Sequence, residues 1–399
     1  MKNTCLFLMK FFTVFFCLSF FSCAILQKPE ETILSKKEIV PPEPGEIAEP
    51  EIDPNAPFKI SNVAISHQSF SPAKGEAVTI SWHISRPSKA LVQIFDPDML
   101  LIRELVPENT GNPGLCEVTW GGKDPDGNII PDEAYFFTIE ANDYKGELTH
   151  YDPITFSGGK NFDCPVEFDS SKQLISYNLA QDSRVLIRTG ITHGPLLKTI
   201  VNWEPRLVGV HEEPWDGKDA SGVINAADQK GFTMMSDAVT LPENSILASG
   251  NKEYTYVEYK HEISSDRPIK EERPRIVNDK TQPDLPFNRP VQQGDAPKFY
   301  LKLPENLQIT EQGYPIVSGK LPIKIYLDEK VKKSATERRY EIICYVDYKF
   351  ITEQEEGYSP STWLWDTNNM PNGEHVLTVN VATLTGQVAS ASMKVMVQN

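Results

Sequence analysis

The residues best placed to do chemistry are few, and their spacing argues against most reactions. Asp124-Pro125-Asp126-Gly127-Asn128 has the outline of an Asp-x-Asp calcium loop, but position twelve, where a loop of the EF-hand type needs a glutamate, is Tyr135. A hairpin turn accounts for the same residues, since Asp, Pro, Gly and Asn each favour one. The histidines, at positions 67, 83, 150, 193, 211, 261 and 375, never adopt the paired spacing of a metalloprotease helix. No nucleophile elbow, phosphate loop or dinucleotide fingerprint occurs, and no cysteine pair has zinc spacing. No enzymatic activity, metal or cofactor is therefore expected. Aromatic residues are the better binding candidates. Tyr254, Tyr256 and Tyr259 can offer rings to a protein or sugar, with Tyr254 and Tyr256 on one face of an expected strand. Trp363 and Trp365 can do the same, although core packing is the simpler role for a tryptophan.

A different chemistry is written at the N-terminus. Lys2 precedes, and Lys10 interrupts, a largely apolar run from Leu6 to Phe21, which ends at Ser22-Cys23 before the chain turns polar. The run is too short for a comfortable membrane span, which needs about 20 apolar residues, and reads as an export signal over 1–22. Its end resembles the lipobox of bacterial lipoproteins, with Phe20 where that family prefers leucine. The resemblance implies acylation of Cys23 and a membrane anchor of more than one acyl chain. Ala24 in place of aspartate implies, by the same likeness, an outer-membrane lipoprotein of the cell envelope.

Charge narrows the partners. Loss of residues 1–22 removes two lysines and no acid, leaving 37 basic against 55 acidic residues, a net of −18. Phosphate backbones repel such a chain, so nucleic acid is excluded as a partner and an envelope protein or glycan is expected. Beyond Cys23, only Cys116, Cys164 and Cys344 remain. In an exported chain a Cys116–Cys164 bridge and buried free thiols are both open.

The elements that must position these residues are strands. Residues 23–56, with Pro41-Pro42-Glu43-Pro44, are too polar and proline-rich to fold and read as a disordered tether. From residue 57 the period becomes two, as in Val78-Thr79-Ile80-Ser81-Trp82-His83-Ile84. Turn clusters separate such runs every 8 to 12 residues, the mark of a β-sandwich.

The chain also repeats itself. A shift of 95 positions superposes residues 80–129 on 175–224 without a gap, giving 14 identities in 50 positions, where chance gives roughly three. Trp120 and Trp215, Asp124 and Asp219, and Gly127 and Gly222 are among the pairs. The expected organisation is all-β: sandwiches over 57–157 and 158–260, a linker over 261–297, and a third sandwich over 298–399.

The segment Trp120 to Tyr135 resembles the end of the immunoglobulin-like domain of the flagellar hook-capping protein. Trp215-Asp216-Gly217-Lys218-Asp219-Ala220-Ser221-Gly222 matches the opening of that pattern more closely. The first copy departs from it at Gly121 and at Glu133-Ala134, and the second lacks its Pro and Tyr portion. Trp365-Asp366-Thr367 with Asn372-Gly373 resembles another bacterial immunoglobulin-like type. These likenesses imply a structural role for the motif: tryptophan fills the space between sheets, while Asp and Gly shape a tight connection. The overall expectation is a non-catalytic envelope lipoprotein acting as scaffold, stalk or protein-interaction module. A carbohydrate-binding or enzyme-accessory lipoprotein is the alternative, and a hydrolase with an unrecognised site a distant third.

Overall fold

A computed structural model describes residues 57–108, 111–262, 267–268, 296–328, 340–383 and 386–399. The signal segment, Cys23 and the tether lie outside the described residues, as does most of the expected linker. The rest is all-β and forms three sandwiches, as the alternation predicts.

Sandwich one contains β1 (Ile60–Ile65), β2 (Ser69–Phe70), β3 (Val78–Ile84), β4 (Ser88–Phe95), β5 (Leu101–Leu105), β6 (Gly114–Trp120), β7 (Glu133–Asp143) and β8 (Leu148–Tyr151). Sandwich two contains β9 (Asn161–Asp163), β10 (Val166–Asp169), β11 (Leu174–Leu179), β12 (Ser183–Ile191), β13 (Leu196–Arg206), β14 (Gly209–Pro214) and β15 (Phe232–Thr240). After β16 (Ile246–Ala248) and α1 (Tyr256–Glu262) comes sandwich three, with β17 (Phe299–Lys302), β18 (Ile316–Val317), β19 (Lys320–Leu327) and β20 (Tyr340–Val346). It ends with β21 (Lys349–Gln354), β22 (Ser361–Asp366), β23 (Gly373–Thr383) and β24 (Val388–Val397).

One wiring serves all three. The smaller sheets run β1-β3-β6, β10-β11-β14 and β17-β19-β22, and the opposed sheets share the cores β7-β4-β5, β15-β12-β13 and β23-β20-β21. Inward-facing residues alternate along each strand, as in β3, where Val78, Ile80, Trp82 and Ile84 are buried. Three separate cores result. Cys116, Cys164 and Cys344 are buried free thiols, so the bridge between the first two is not made. Burial pushes all three thiols up, Cys344 to about 12.

The boundary expected between the first two sandwiches is corrected. In sandwich three the last strand is unbroken: β24 pairs with β23 along its length, and its end lies parallel to β18. In sandwich one the corresponding strand is split. β8 pairs with Ile139–Asn142 of β7, and the chain then departs through a 3₁₀ turn at Pro153–Thr155. The other half of the edge, Glu133–Tyr135, is paired by β16, which also lies parallel to β2. Sandwich two is thus an insertion within the last strand of sandwich one, and residues 241–260 return to the first body. Ile246, Ala248 and Tyr259 belong to its core.

The two bodies are locked at this crossing. Arg184 of β12 and Glu133 of β7 form an ion pair at 2.7 Å with both side chains buried, and Arg184 also donates to the Trp203 carbonyl. Removing one member of a buried pair strands the other charge. Arg184→Ala is expected to cost about 3–5 kcal/mol in urea-induced unfolding, whereas Lys198→Ala, whose ion-pair partner Asp216 is exposed, should cost under about 1 kcal/mol.

Candidate functional site

The repeat motif builds one loop twice. Trp120 sits at the end of β6 with its ring 5.5 Å from Tyr135 and 5.6 Å from Phe70, and its indole N–H donates to the Lys123 carbonyl at 3.2 Å. Trp215 does the same to Lys218 at 2.8 Å. The indole therefore both fills the core and closes the turn that follows it. Gly122 and Gly217 have positive φ, as do Gly127 and Gly222, and a side chain at Gly122 would collide with Pro72. Asp216 caps its own turn by accepting from the Lys218 amide.

At the centre of each loop is a buried aspartate. One oxygen of Asp124 accepts the amides of Asp126 and Asn128, and Asp219 uses its Oδ1 for those of Val223 and Ile224. The second oxygens differ. That of Asp124 receives the Asn128 side chain, the Tyr259 hydroxyl at 3.1 Å and the Arg267 guanidinium at 2.7 Å. Asp219 Oδ2 is buried with no hydrogen-bond partner among the described residues. Burial alone raises the Asp124 carboxyl, but Arg267 and Asn128 outweigh it and hold the group below the usual carboxylate range.

The structure thus gathers Trp120, Asp124 and Gly127 with Tyr254 and Tyr259, which sequence reasoning kept apart. The strand expected over 254–259 is instead the short helix α1 and its lead-in. Tyr259 is fully buried, Tyr256 nearly so, and Tyr254 stacks on Tyr259 at 5.7 Å while its hydroxyl donates to the Ile129 carbonyl. Tyr256 and Tyr259 are consumed by sandwich one rather than displayed, and Tyr254 is half-buried against its core. Residues 251–262, with Arg267 and Pro268, form a strap across the loop end. Asn251 donates to the carbonyls of Ile129 and Ile130, and the Pro268 carbonyl accepts the Leu101 amide at 2.9 Å.

Four strap contacts lay outside the sequence reading. The Tyr256 hydroxyl lies 2.9 Å from Asp96 Oδ2 and 3.0 Å from Asp98 Oδ2, and Lys260 pairs with Asp98. Arg267 also reaches Asp126 at 3.1 Å. Asp96-Pro97-Asp98 on the β4–β5 turn was the available signal, but nothing in the sequence places it beside residues 160 positions away.

Sandwich two uses the equivalent end differently. Leu196, the repeat partner of Leu101, donates its amide to the Asn380 side chain at 2.9 Å and accepts from it at 2.8 Å. Ser221, the partner of Asp126, accepts the Ser392 amide at 2.8 Å, and Arg188 donates to the Gly386 carbonyl. The loop end that the strap covers on sandwich one is, on sandwich two, the seat of sandwich three.

Trp365 and Trp363 are buried on the inner face of β22. They line a groove of about 520 Å³ between the edge strands β21 and β22, together with Ile342, Cys344, Gln354 and Met370. Nearby, His375 is held by Asp347 at 2.7 Å and the Pro371 carbonyl at 2.8 Å. Among the described residues, no group of three His, Cys, Asp or Glu side chains is placed to hold a metal ion. No described helix is long and apolar enough to cross a membrane.

No protein-family model matches the chain, and no curated protein matches it. Among solved structures it is similar to a tetra-tandem repeat from the extending region of a large adhesion protein, at 11% identity and a TM-score of 0.20, covering 86% of this chain and 74% of that one. It is also similar to the dimeric latent PorU of Porphyromonas gingivalis, at 11% identity, a TM-score of 0.18 and coverage of 85% and 34%. A bacterial ice-binding adhesin follows at 10% identity and a TM-score of 0.16, covering 86% and 97%. Values this low carry neither a function nor a partner.

The Asp124 network gives a direct test. Asp124→Asn keeps the shape but removes the charge that Arg267 and Tyr259 meet, and a hydrogen bond to a charged group contributes about 1.5–3 kcal/mol. Urea titration should show a loss of about 2 kcal/mol. The same substitution at Asp219, which has no such partners, should cost less than half as much.

Proposed function

We propose that this chain is a non-catalytic, lipid-anchored protein of the cell envelope, with its sandwiches serving as a scaffold, stalk or protein-interaction module. The observation that supports this best is the fate of the motif residues. Trp120, Trp215, Asp124, Asp219 and the paired glycines are spent on closing loops and filling cores, as the hook-cap likeness implies for a structural module. The buried carboxylates meet tyrosine, arginine and backbone amides rather than an open cleft. Cys23, directly after the apolar run, supplies the anchoring side of the reading, and Ala24 favours the outer membrane. The acidic charge disfavours nucleic acid and leaves envelope proteins as the partners we propose.

A second reading, a carbohydrate-binding or enzyme-accessory lipoprotein, draws on the groove of sandwich three, where Trp363 and Trp365 stand beside Gln354, Thr352 and Glu353. Radiolabelled palmitate should enter the wild-type chain and not Cys23→Ala; equal labelling would refute the anchor. Cross-linking and pull-down of the anchored protein should then return envelope proteins. Recovery of glycan alone, lost in Trp363→Ala, would favour the second reading instead.

A further inference from the structure

The latch that holds the strap contains a proton-counting problem. The Tyr256 hydroxyl carries one proton, yet it lies within hydrogen-bond distance of two carboxylate oxygens, Asp96 Oδ2 and Asp98 Oδ2. With both acids ionised, one carboxylate would face the lone pairs of the phenol. The arrangement is satisfied when one acid carries a proton, donating it to Tyr256 while Tyr256 donates to the other.

Surroundings identify which acid that is. Asp96 is fully buried, and its Oδ1 already accepts the amides of Asp98 at 2.9 Å and Leu100 at 2.8 Å. Asp98 is partly exposed and paired with Lys260, which favours its ionised form. The groups facing Asp96 are Asp98 from its own turn, Tyr256 and Lys260 from α1, and Tyr135 from β7, with Glu133 beyond it. Lys260 is the cation among these described groups.

We propose that residues 251–262, with Arg267 and Pro268, are a pH-released cover over the loop end of sandwich one, latched through Asp96, Tyr256 and Asp98 and loosened as the pH rises past neutrality. Burial is the first cause that lifts the Asp96 carboxyl, from 3.8 to about 7, with Asp98 adding to it against the backbone amide, Tyr256 and Lys260. A folded value above the unfolded one means the latch contributes fully below about 4 and loses its contribution as the pH climbs through about 7. The Arg267–Asp124 contact opposes this only in strong acid, since the Asp124 carboxyl is lowered. Opening uncovers the Leu101 amide, Asp124 and Asp126, whose counterparts on sandwich two include the contacts that seat sandwich three.

Hydrogen exchange on the full chain tests the latch. Protection of the Tyr259 amide, which bonds to the Thr255 carbonyl at 3.0 Å, is measured from pH 5.5 to 8.5 with amides of β23 as internal reference. After correction for intrinsic exchange, wild-type protection in α1 should fall by about tenfold or more across this range. Asp96→Asn reproduces the protonated acid, with an N–H toward Tyr256 and an oxygen for the two amides, and should hold α1 protection flat. Asp98→Asn removes the competing acceptor and should shrink the fall without abolishing it, because burial still lifts Asp96, and this keeps the test available if the first variant does not fold. An unchanged wild-type profile, or a full fall retained in a folded Asp96→Asn or Asp98→Asn chain, overturns the proposal.

Discussion

The edge of β7 is the constraint on which the first two-thirds of the molecule depends. Its amides and carbonyls must be paired, because the strand is buried along nearly its whole length and an unpaired backbone group there is costly. Two segments almost 100 residues apart share the task, β8 on one half and β16 on the other. Everything between them must leave and return within a strand's width. Sandwich two is therefore held by both ends, with Gly158 and Gly159 at positive φ where the chain departs. A side chain on Gly158 would strike the backbone of Leu241 and Pro242, the returning strand of the same crossing.

This wiring changes what tandem sandwiches can do. Beads joined by single linkers swivel, because few contacts cross between them. Here two chain crossings, the buried Arg184–Glu133 pair and the small cluster of Ala134, Leu241 and Leu247 with Leu207 fix one body on the next. Gln68 adds a bond to Asp182, which also receives the Val208 amide. The cost falls on sandwich one, whose core is incomplete until Ile246, Ala248 and Tyr259 arrive. Stiffness and cooperative folding come from the same topological fact.

Much of this was legible in the residues, and the rest was hidden for identifiable reasons. Period-two alternation in β3 and the 95-residue repeat gave the strands and the shared wiring, since both depend only on which face a side chain takes. The tryptophans and glycines of the motif were open to a structural reading, because the turn and the indole bond they make are local. The insertion was not readable. β16 is three residues long, and its reason for existing is an open edge more than 100 positions earlier. The helix at 256 was mistaken for a strand because Tyr254, Thr255, Tyr256 and Val257 carry strong β propensity, which tertiary packing overrode. Thr255 supplies the local correction: its hydroxyl and Glu258 bond reciprocally in a capping box. That signal was present in the sequence and outweighed by the aromatics.

The two repeats finally show how duplicated geometry is put to different uses by a few charges. Asp96, Asp98 and Asp126 of the first copy correspond to Ile191, His193 and Ser221 of the second. Acids on the first loop end call for cations and hydroxyls, and Tyr256, Tyr259, Lys260 and Arg267 supply them from within the chain. On the second loop end those three acids are replaced, and Asp216 and Asp219 are turned to their own loop, so the seat meets uncharged groups of sandwich three: Asn380 mimics a strand against Leu196, and Ser392 reaches Ser221. A neutral seat suits a permanent joint between sandwiches, because its bonds do not titrate. An acidic seat in which the buried Asp96 carboxyl shares a proton with Tyr256 and Asp98 loosens as that proton is lost, which makes the first copy the adjustable one and the second the fixed one.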